Sequence, residues 1–193
     1  MRRIFFIIAS LVFLLISSHG IASDTFDNKR SGPMIGGLGG VSLNVLDEGS
    51  GYSGTKFGLH TDFRFGWAFD NNKFMLTIIW NAINWFVFES GETEEFILSS
   101  ITGSGFSYYF KTASPSLYIH AGIGAATWRS LDISPTTETG LRKDSGLGLM
   151  GGVGYEFRPH WGVELGVMYG FPGSGSYSVQ ALAVNLSIIG IAY

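Results

Sequence analysis

The chain has 193 residues and a formal net charge of −3, and 46% of its residues are hydrophobic while only 14% are charged. An ordinary soluble domain is about 25% charged, so this composition is apolar, and its many aromatic residues exclude a disordered chain. The chain has no cysteine, which excludes a disulfide frame, a thiolate metal site and a lipoprotein anchor. It also has no long basic patch of the kind that binds nucleic acid, and its length predicts a single domain.

The N-terminus has the order of segments found in secretory signal peptides. Two arginines follow Met1, residues 4–16 are almost all apolar, and the small residues Gly20 and Ala22 come just before Ser23. This order predicts a signal peptide over residues 1–22, cleaved near Ala22. An uncleaved anchor is the alternative, but the apolar run is short for a membrane span of about 20 residues. Cleavage removes two of the 12 basic residues and no acidic one, which leaves 10 basic and 15 acidic residues and a net charge of −5.

Residues 23–32 are polar and are expected to form a flexible lead-in to a single β-domain over residues 33–193. From residue 33 onward, large apolar residues alternate with small or polar ones, and this period of two predicts strands. Eight strands are predicted. The first two lie near 33–45 and at 57–69, the third begins at 73, and the fourth ends near 111. The last four lie at 117–128, 147–157, 161–170 and 177–193. The third strand is expected to place Trp80 on its apolar face. In the eighth strand the apolar phase changes near Ser187, which predicts a β-bulge there.

The connections between the predicted strands alternate between short and long. Short turns rich in Asn, Ser and Pro are expected at 70–72, 112–115 and 158–160. Longer connections that carry much of the charge are expected at 46–55, 89–95, 130–144 and 172–176. This order predicts eight antiparallel strands whose two chain ends lie on the side of the short turns.

Two architectures fit eight antiparallel strands in this length: a soluble lipocalin-like barrel and an outer-membrane barrel. The apolar strand faces carry no charged residue, as lipid requires, and the alternating connections match periplasmic turns and external loops. Aromatic residues gather beside the short turns, as in a girdle at the membrane boundary. The predicted girdle consists of Trp67, Phe69, Phe74, Tyr108, Phe110, Tyr155, Phe157, Trp161 and Tyr193. These features favour an eight-stranded antiparallel up-and-down transmembrane β-barrel over the soluble barrel.

The opposite strand faces are rich in glycine and carry charged residues. The predicted interior polar cluster consists of His60, Asp62, Arg64, Lys111, His120, Glu156 and Glu164. Because the lumen of eight strands is just filled by side chains, a plug of paired charges is the favoured interpretation. A ligand site or a proton-linked site is the alternative.

Three segments resemble the small outer-membrane barrels of Gram-negative bacteria, the OmpA-barrel, OmpX and OmpW-like group. They are SYYFK with the following LYIHAGIGAA, GGVGYEFRPHWGVELGVMYG, and the terminal SIIGIAY. The resemblance implies a location in the outer membrane. We expect a monomer surrounded by lipid and lipopolysaccharide, with no cofactor and no metal. The resemblance also implies that Ile189, Ile191 and Tyr193 form the C-terminal signal read by the outer-membrane assembly machinery. The group has many activities, so the resemblance does not predict a particular function.

Three functions remain open at this point. The first is a structural or surface-interaction role through the external loops, with no open aqueous pore and no catalytic residues. The second is an OmpW-like binder or conduit for small hydrophobic molecules, with a pocket at the external end lined by Met34, Leu38, Ile79 and Trp128. The third is a lipid A-modifying enzyme, which is disfavoured because His60 and His120 are predicted to point inward. The acidic residues Glu89, Glu92, Glu94 and Glu95 could bind divalent cations or a partner, although a solvated loop is the simpler interpretation.

Overall fold

The computed structural model describes residues 30–48, 52–69, 73–90, 93–132, 141–174 and 177–193. They form eight strands: β1 Gly32–Glu48, β2 Tyr52–Ala68, β3 Phe74–Ser90, β4 Thr93–Tyr109, β5 Ser116–Asp132, β6 Leu141–Arg158, β7 Trp161–Ser174 and β8 Tyr177–Ala192. Each strand pairs antiparallel with the next, and β8 pairs with β1 to close the barrel. The predicted all-β, eight-stranded, up-and-down barrel is therefore confirmed. The predicted signal peptide and residues 23–29 lie outside the described residues.

The pairing register shows how strongly the strands are staggered. Following paired residues once around the barrel from Gly36 ends at Leu46, ten residues further along β1. A stagger of this size tilts the strands by about 40° from the barrel axis. The first residue of β1 and the last residue of β8 both lie at the end of the short turns, as the alternating connections predicted.

Side chains alternate between a buried inside and an exposed outside. On β8, Leu182, Val184, Leu186 and Ile188 are exposed, whereas the residues between them are buried. The same pattern covers the outside of the barrel with large apolar side chains, which water would not favour. A closed barrel pairs its backbone groups internally, so its outer wall can face lipid.

The sequence predicted a bulge in β8, but the structure has a bulge in β3. In β3, Ile79 pairs with Phe65 but Thr77 pairs with Gly66, so Ile78 is an extra residue. The bulge reverses the phase of the strand, and Trp80 therefore lies inside the barrel, where the alternation had predicted the lipid face. A side chain at Gly66 would collide with the Leu76 carbonyl oxygen, so glycine permits this close approach.

The prediction of a bulge near Ser187 was wrong, because β8 pairs without interruption with both β1 and β7 through this region. Ile188 points outward, and Ile189, Ile191 and Tyr193 therefore all point into the lumen. There they pack with apolar residues such as Met34 and fill the end of the barrel beside the short turns. A lumen that must be filled explains why the end of this strand is apolar on both faces.

Candidate functional site

The half of the lumen nearer the short turns holds a cluster of charges around Arg64. Its guanidinium donates from Nε to Asp62 Oδ2 at 2.9 Å and makes two hydrogen bonds to Glu164, at 3.0 and 2.6 Å. Tyr118 donates its hydroxyl to the same glutamate at 2.8 Å. All four side chains are buried. A buried charge is tolerated only when it is paired in this way, and the bidentate bond joins β2 to β7 across the lumen.

Two histidines lie beside this cluster. His120 Nε2 is 3.3 Å from Glu164 Oε1, close enough for an ion pair but without the alignment of a hydrogen bond. His60 Nδ1 is 2.8 Å from the side-chain oxygen of Asn84, whose amide nitrogen contacts the Met168 sulfur at 3.6 Å. Both rings are held by neighbours on other strands, as in a structural network.

A second charged cluster closes the end of the barrel beside the short turns. Arg30 pairs with Glu156, with Nε donating at 3.1 Å, and its Nη1 donates to the Lys111 carbonyl oxygen at 2.8 Å. Its guanidinium carbon also lies 4.1 Å from the centre of the Tyr109 ring. Tyr193 donates its hydroxyl to Glu156 at 2.6 Å. Arg30, the first described residue, and Tyr193, the last residue, therefore both bind the Glu156 carboxylate.

The turn between β6 and β7 supports this second cluster. His160 has a φ of 71°, an uncommon value for a residue with a side chain. Its ring lies 4.6 Å from the Tyr193 ring, and its Nδ1 is 2.9 Å from the Ile191 carbonyl oxygen. These contacts hold the end of β8 against the turn.

Six of the seven residues predicted for the interior polar cluster have buried side chains in the lumen: His60, Asp62, Arg64, His120, Glu156 and Glu164. Lys111 was placed wrongly, because β4 ends at Tyr109 and the alternation ends with it. The Lys111 side chain is exposed, and only its carbonyl takes part in the network.

Sequence reasoning missed Arg30, which it assigned to the flexible lead-in. The Arg30 side chain is 1% exposed. Residue 30 precedes the first strand, so no alternation of residue types could signal that its side chain enters the lumen. By contrast, Tyr118 alternates with Leu117 and Ile119 on β5, so its inward position follows from the sequence pattern, although its bond to Glu164 does not.

The external half of the lumen is filled mainly by uncharged side chains. Two apolar clusters lie there: Trp80, Ala82, Ile101, Ala126, Met150, Met168 and Ala183, and further out Phe86, Ile97, Trp128 and Ala181. The Phe86 and Trp128 rings meet edge to face at 5.9 Å between centres. These side chains occupy the volume that a conduit through the lumen would need.

The structure contradicts the pocket predicted for small hydrophobic molecules. Met34 and Leu38 belong to the apolar cluster at the opposite end of the barrel from Trp128, and all three are buried. The β1 strand begins at the short-turn end, so its early residues cannot reach the external mouth. The side chain of Ile79 lies outside the described residues.

The residues of the predicted girdle lie beside the short turns, with one exception. Trp67, Phe69, Tyr108, Phe110, Tyr155 and Phe157 are exposed, and Phe74 and Trp161 are partly exposed. Tyr193 does not belong to this ring, because it is only 8% exposed and its hydroxyl binds Glu156 inside the barrel.

The described residues offer few groups for chemistry on the outer wall. Of the described histidines, His60 and His120 lie in the lumen and His160 lies in a turn. Within the described part of the chain, no group of three or more His, Asp or Glu side chains could hold a metal ion. None of the described residues belongs to a helix long and apolar enough to span a membrane. The side chains of Glu89, Glu92, Glu94 and Glu95 lie outside the described residues.

A closed eight-stranded barrel with a filled lumen and an apolar outer wall has the fold of the small outer-membrane β-barrels. Similar solved structures include Ail, the attachment invasion locus protein of Yersinia pestis, in complex with the heparin analogue sucrose octasulfate. Ail is 14% identical, with a TM-score of 0.58 over 82% of this chain and 99% of its own. Neisserial surface protein A is 16% identical, with a TM-score of 0.57 over 83% of this chain and 97% of its own.

No protein-family model and no curated protein sequence matches the chain. The structural similarity nevertheless confirms the class that the resemblance predicted, because the barrels share strand number, closure and nearly full length. The exposed apolar belt is the surface that such a barrel places in the outer membrane.

Proposed function

We propose that this protein is an integral outer-membrane barrel that acts at the cell surface through the external ends of its strands and their loops, and conducts no solutes. The filled lumen is the observation that carries this proposal. Two charged clusters occupy the periplasmic half, and two apolar clusters occupy the external half. An eight-stranded lumen is just wide enough for side chains, so we expect no continuous water path through it.

The length of the strands supports a role at the surface. β1 to β5 each contain 17 residues, whereas a tilted strand needs only about 9–11 to cross a membrane. The aromatic girdle lies at the short-turn end, so the additional length lies at the external end. At about 3.3 Å per residue and 40° of tilt, the strands rise about 43 Å, against about 25 Å for the apolar belt. The extra height forms a platform for the loops outside the lipid.

The charge of this platform limits its partners. The external segments 46–55, 89–95 and 130–144 contain nine acidic and two basic residues. A negative surface attracts positively charged partners and repels sulfated sugars. The complex of Ail with a heparin analogue is therefore not carried over to this chain, and we favour a cationic protein or peptide as the partner. Lipid and lipopolysaccharide are the proposed surroundings of the belt.

The C-terminal strand is proposed to be recognised by the assembly machinery before the barrel closes. In the folded barrel, Ile189, Ile191 and Tyr193 point into the lumen, where another protein cannot reach their side chains. Recognition of these residues therefore requires a strand that has not yet paired. Neither the hydrophobic conduit nor the lipid A-modifying enzyme is favoured by an observation on the described residues.

Two measurements on the purified barrel test the proposal. Liposomes that contain it should retain a trapped sugar as well as protein-free liposomes do, and steady efflux would contradict the sealed lumen.

The second measurement tests the partner. Barrels in nanodiscs should bind an immobilised lysine-rich peptide but not immobilised heparin. Replacing Glu89, Glu92, Glu94 and Glu95 together by glutamine should weaken the peptide binding. Equal binding by this variant, or binding to heparin, would refute the assignment of the partner.

A further inference from the structure

The outer wall of the barrel carries a polar patch where lipid is expected. The patch consists of Thr61 on β2, Asn81 on β3, and Thr102 and Ser104 on β4. All four side chains face outward, and Asn81 is paired in the sheet with Phe63 on one side and with Thr102 on the other. Elsewhere on the wall, the outward residues of the belt are mostly large and apolar, such as Ile123, Leu149, Val167 and Leu186.

The patch lies near the middle of the belt. Asn81 follows Phe74 of the girdle by seven residues, one of which is taken up by the bulge at Ile78. Six rises of about 3.3 Å along a strand tilted by about 40° place Asn81 about 15 Å above the girdle. The belt of such barrels is about 25 Å tall, so lipid headgroups do not reach this depth.

Most polar atoms of the patch have a partner within the barrel. Ser104 donates to the carbonyl oxygen of Ile78 at 3.2 Å, and Ile78 is the bulge residue that has no paired residue on β2 or β4. Trp85 Nε1 donates to Thr61 Oγ1 at 3.1 Å. Thr102 donates to the side-chain oxygen of Asn81 at 3.0 Å. The remaining group is the Asn81 amide nitrogen, which has no hydrogen-bond partner among the described residues.

Asn81 is therefore the residue of the patch that lipid cannot satisfy. Reversing the amide would satisfy its nitrogen through Thr102 and would leave its oxygen without a partner, so the conclusion does not depend on the orientation. Hydrocarbon offers no donor or acceptor, and in helical membrane proteins polar side chains at this depth hydrogen-bond across to a neighbouring segment.

We propose that the outer wall of β2, β3 and β4 is a self-association surface, and that its occupant is a second copy of this chain. Two copies in one membrane are related by a two-fold axis along the membrane normal, which brings equal depths together. With the axis at β3, the two Asn81 side chains meet. Because an amide both donates and accepts, each satisfies the group that the other leaves free.

The side chains on either side of Asn81 fit the same axis. β2 presents the large exposed rings of Phe63 and Phe65, whereas β4 presents the smaller side chains of Thr102 and Ser104. A two-fold axis at β3 places β2 of one copy against β4 of the other. The large rings of each copy then pack over the small side chains of its partner on both sides of the axis. The structure thus points to a dimer, whereas a monomer was expected from the sequence.

Cysteine cross-linking tests this surface directly, because the chain has no cysteine of its own. Ile83 pairs with Thr61 on the same outer wall, beside Asn81, so I83C places a thiol near the axis and leaves every hydrogen bond of the patch in place. Leu149 faces outward on β6, on another side of the barrel, and L149C is the control. In lipid vesicles with lipid in large excess, oxidation should cross-link I83C to itself and leave L149C monomeric. Equal cross-linking of the two, or none, would overturn the proposal.

A substitution of Asn81 separates association from folding. In the I83C background, Asn81→Leu should lower the cross-linked fraction about tenfold, because the bond between the copies is lost. The barrel itself should keep the gel migration of a folded barrel and resist denaturant at least as well, since leucine suits lipid better than asparagine. Ser145→Leu is the matched polar-to-apolar control on β6 and should leave cross-linking unchanged. Unchanged cross-linking of the Asn81 variant, or I83C cross-linking only to a different protein in native membranes, would refute self-association.

Discussion

The two halves of the barrel interior are filled by different kinds of side chain. The periplasmic half contains Arg30 and Arg64 with three buried carboxylates, so its strands are joined by ion pairs across the lumen. The external half contains mainly Trp, Phe, Ile and Met side chains, beside a few hydrogen bonds between uncharged groups, such as Asn44 Nδ2 to Ser42 Oγ at 2.8 Å. Apolar side chains can pack in many alternative arrangements with similar free energy, whereas a bidentate ion pair forms only in a narrow range of geometries. The periplasmic half therefore fixes how the strands face each other, and the external half seals the lumen.

The largest expected effect comes from removing the central cation. Arg64→Leu leaves Asp62 and Glu164 buried with no guanidinium, and should lower the free energy of unfolding by about 3–5 kcal/mol. Denaturant titration of the barrel in lipid vesicles, followed by tryptophan fluorescence and by gel migration, measures this loss. Lys111→Leu is the control, because the exposed lysine side chain should contribute no more than about 0.5 kcal/mol. A similar loss in both variants would show that the periplasmic half does not depend on its ion pairs.

Arg30 should have a smaller effect, because Glu156 keeps its bond from Tyr193 when the arginine is lost. Arg30→Ala should lower the free energy of unfolding by about 1.5–3 kcal/mol, the range for hydrogen bonds to charged groups. Adding Glu156→Gln removes the unpaired charge and should restore part of the stability in the same titration. Additive losses from the two substitutions would mean that the pair makes no energetic contribution.

These two arginines also show what the sequence can and cannot predict. Arg64 was predictable, because it stands in phase with the small and polar residues of β2, and a charge buried in a lumen of this size requires a partner. Arg30 was not, since the period of two begins only after it. The same limit explains β8: Ile188 and Ile189 are both large and apolar, so alternation cannot say which one faces lipid. The packing of Ile189 and the hydroxyl bond of Tyr193 decide the phase, and both are contacts between distant parts of the chain.

Substitutions in the external half should cost stability without a change of architecture. Phe86→Leu removes part of the ring that meets Trp128, and should lower the free energy of unfolding by about 1–2 kcal/mol, below the cost of deleting a whole aromatic ring. Phe171→Leu is the matched control on the lipid-facing wall, where the exposed ring contacts Tyr169 edge to face at 4.3 Å, and it should cost less than Phe86→Leu. Both variants should keep the gel migration of the folded barrel and retain a trapped sugar in liposomes. Leakage through Phe86→Leu alone would show that the seal depends on this one ring and that the charged periplasmic half does not close the lumen by itself.

The smallest expected effect separates the two roles assigned to Tyr193. Tyr193→Phe keeps the aromatic ring proposed for recognition by the assembly machinery, but removes the hydroxyl that binds Glu156. The yield of folded barrel in the outer membrane should stay unchanged, while the free energy of unfolding should fall by about 0.5–1.5 kcal/mol, since Arg30 still satisfies the carboxylate. Tyr193→Ala should reduce both quantities. If the phenylalanine variant also assembles poorly, the hydroxyl bond forms part of closure itself, and the periplasmic half would then direct assembly as well as hold the finished barrel together.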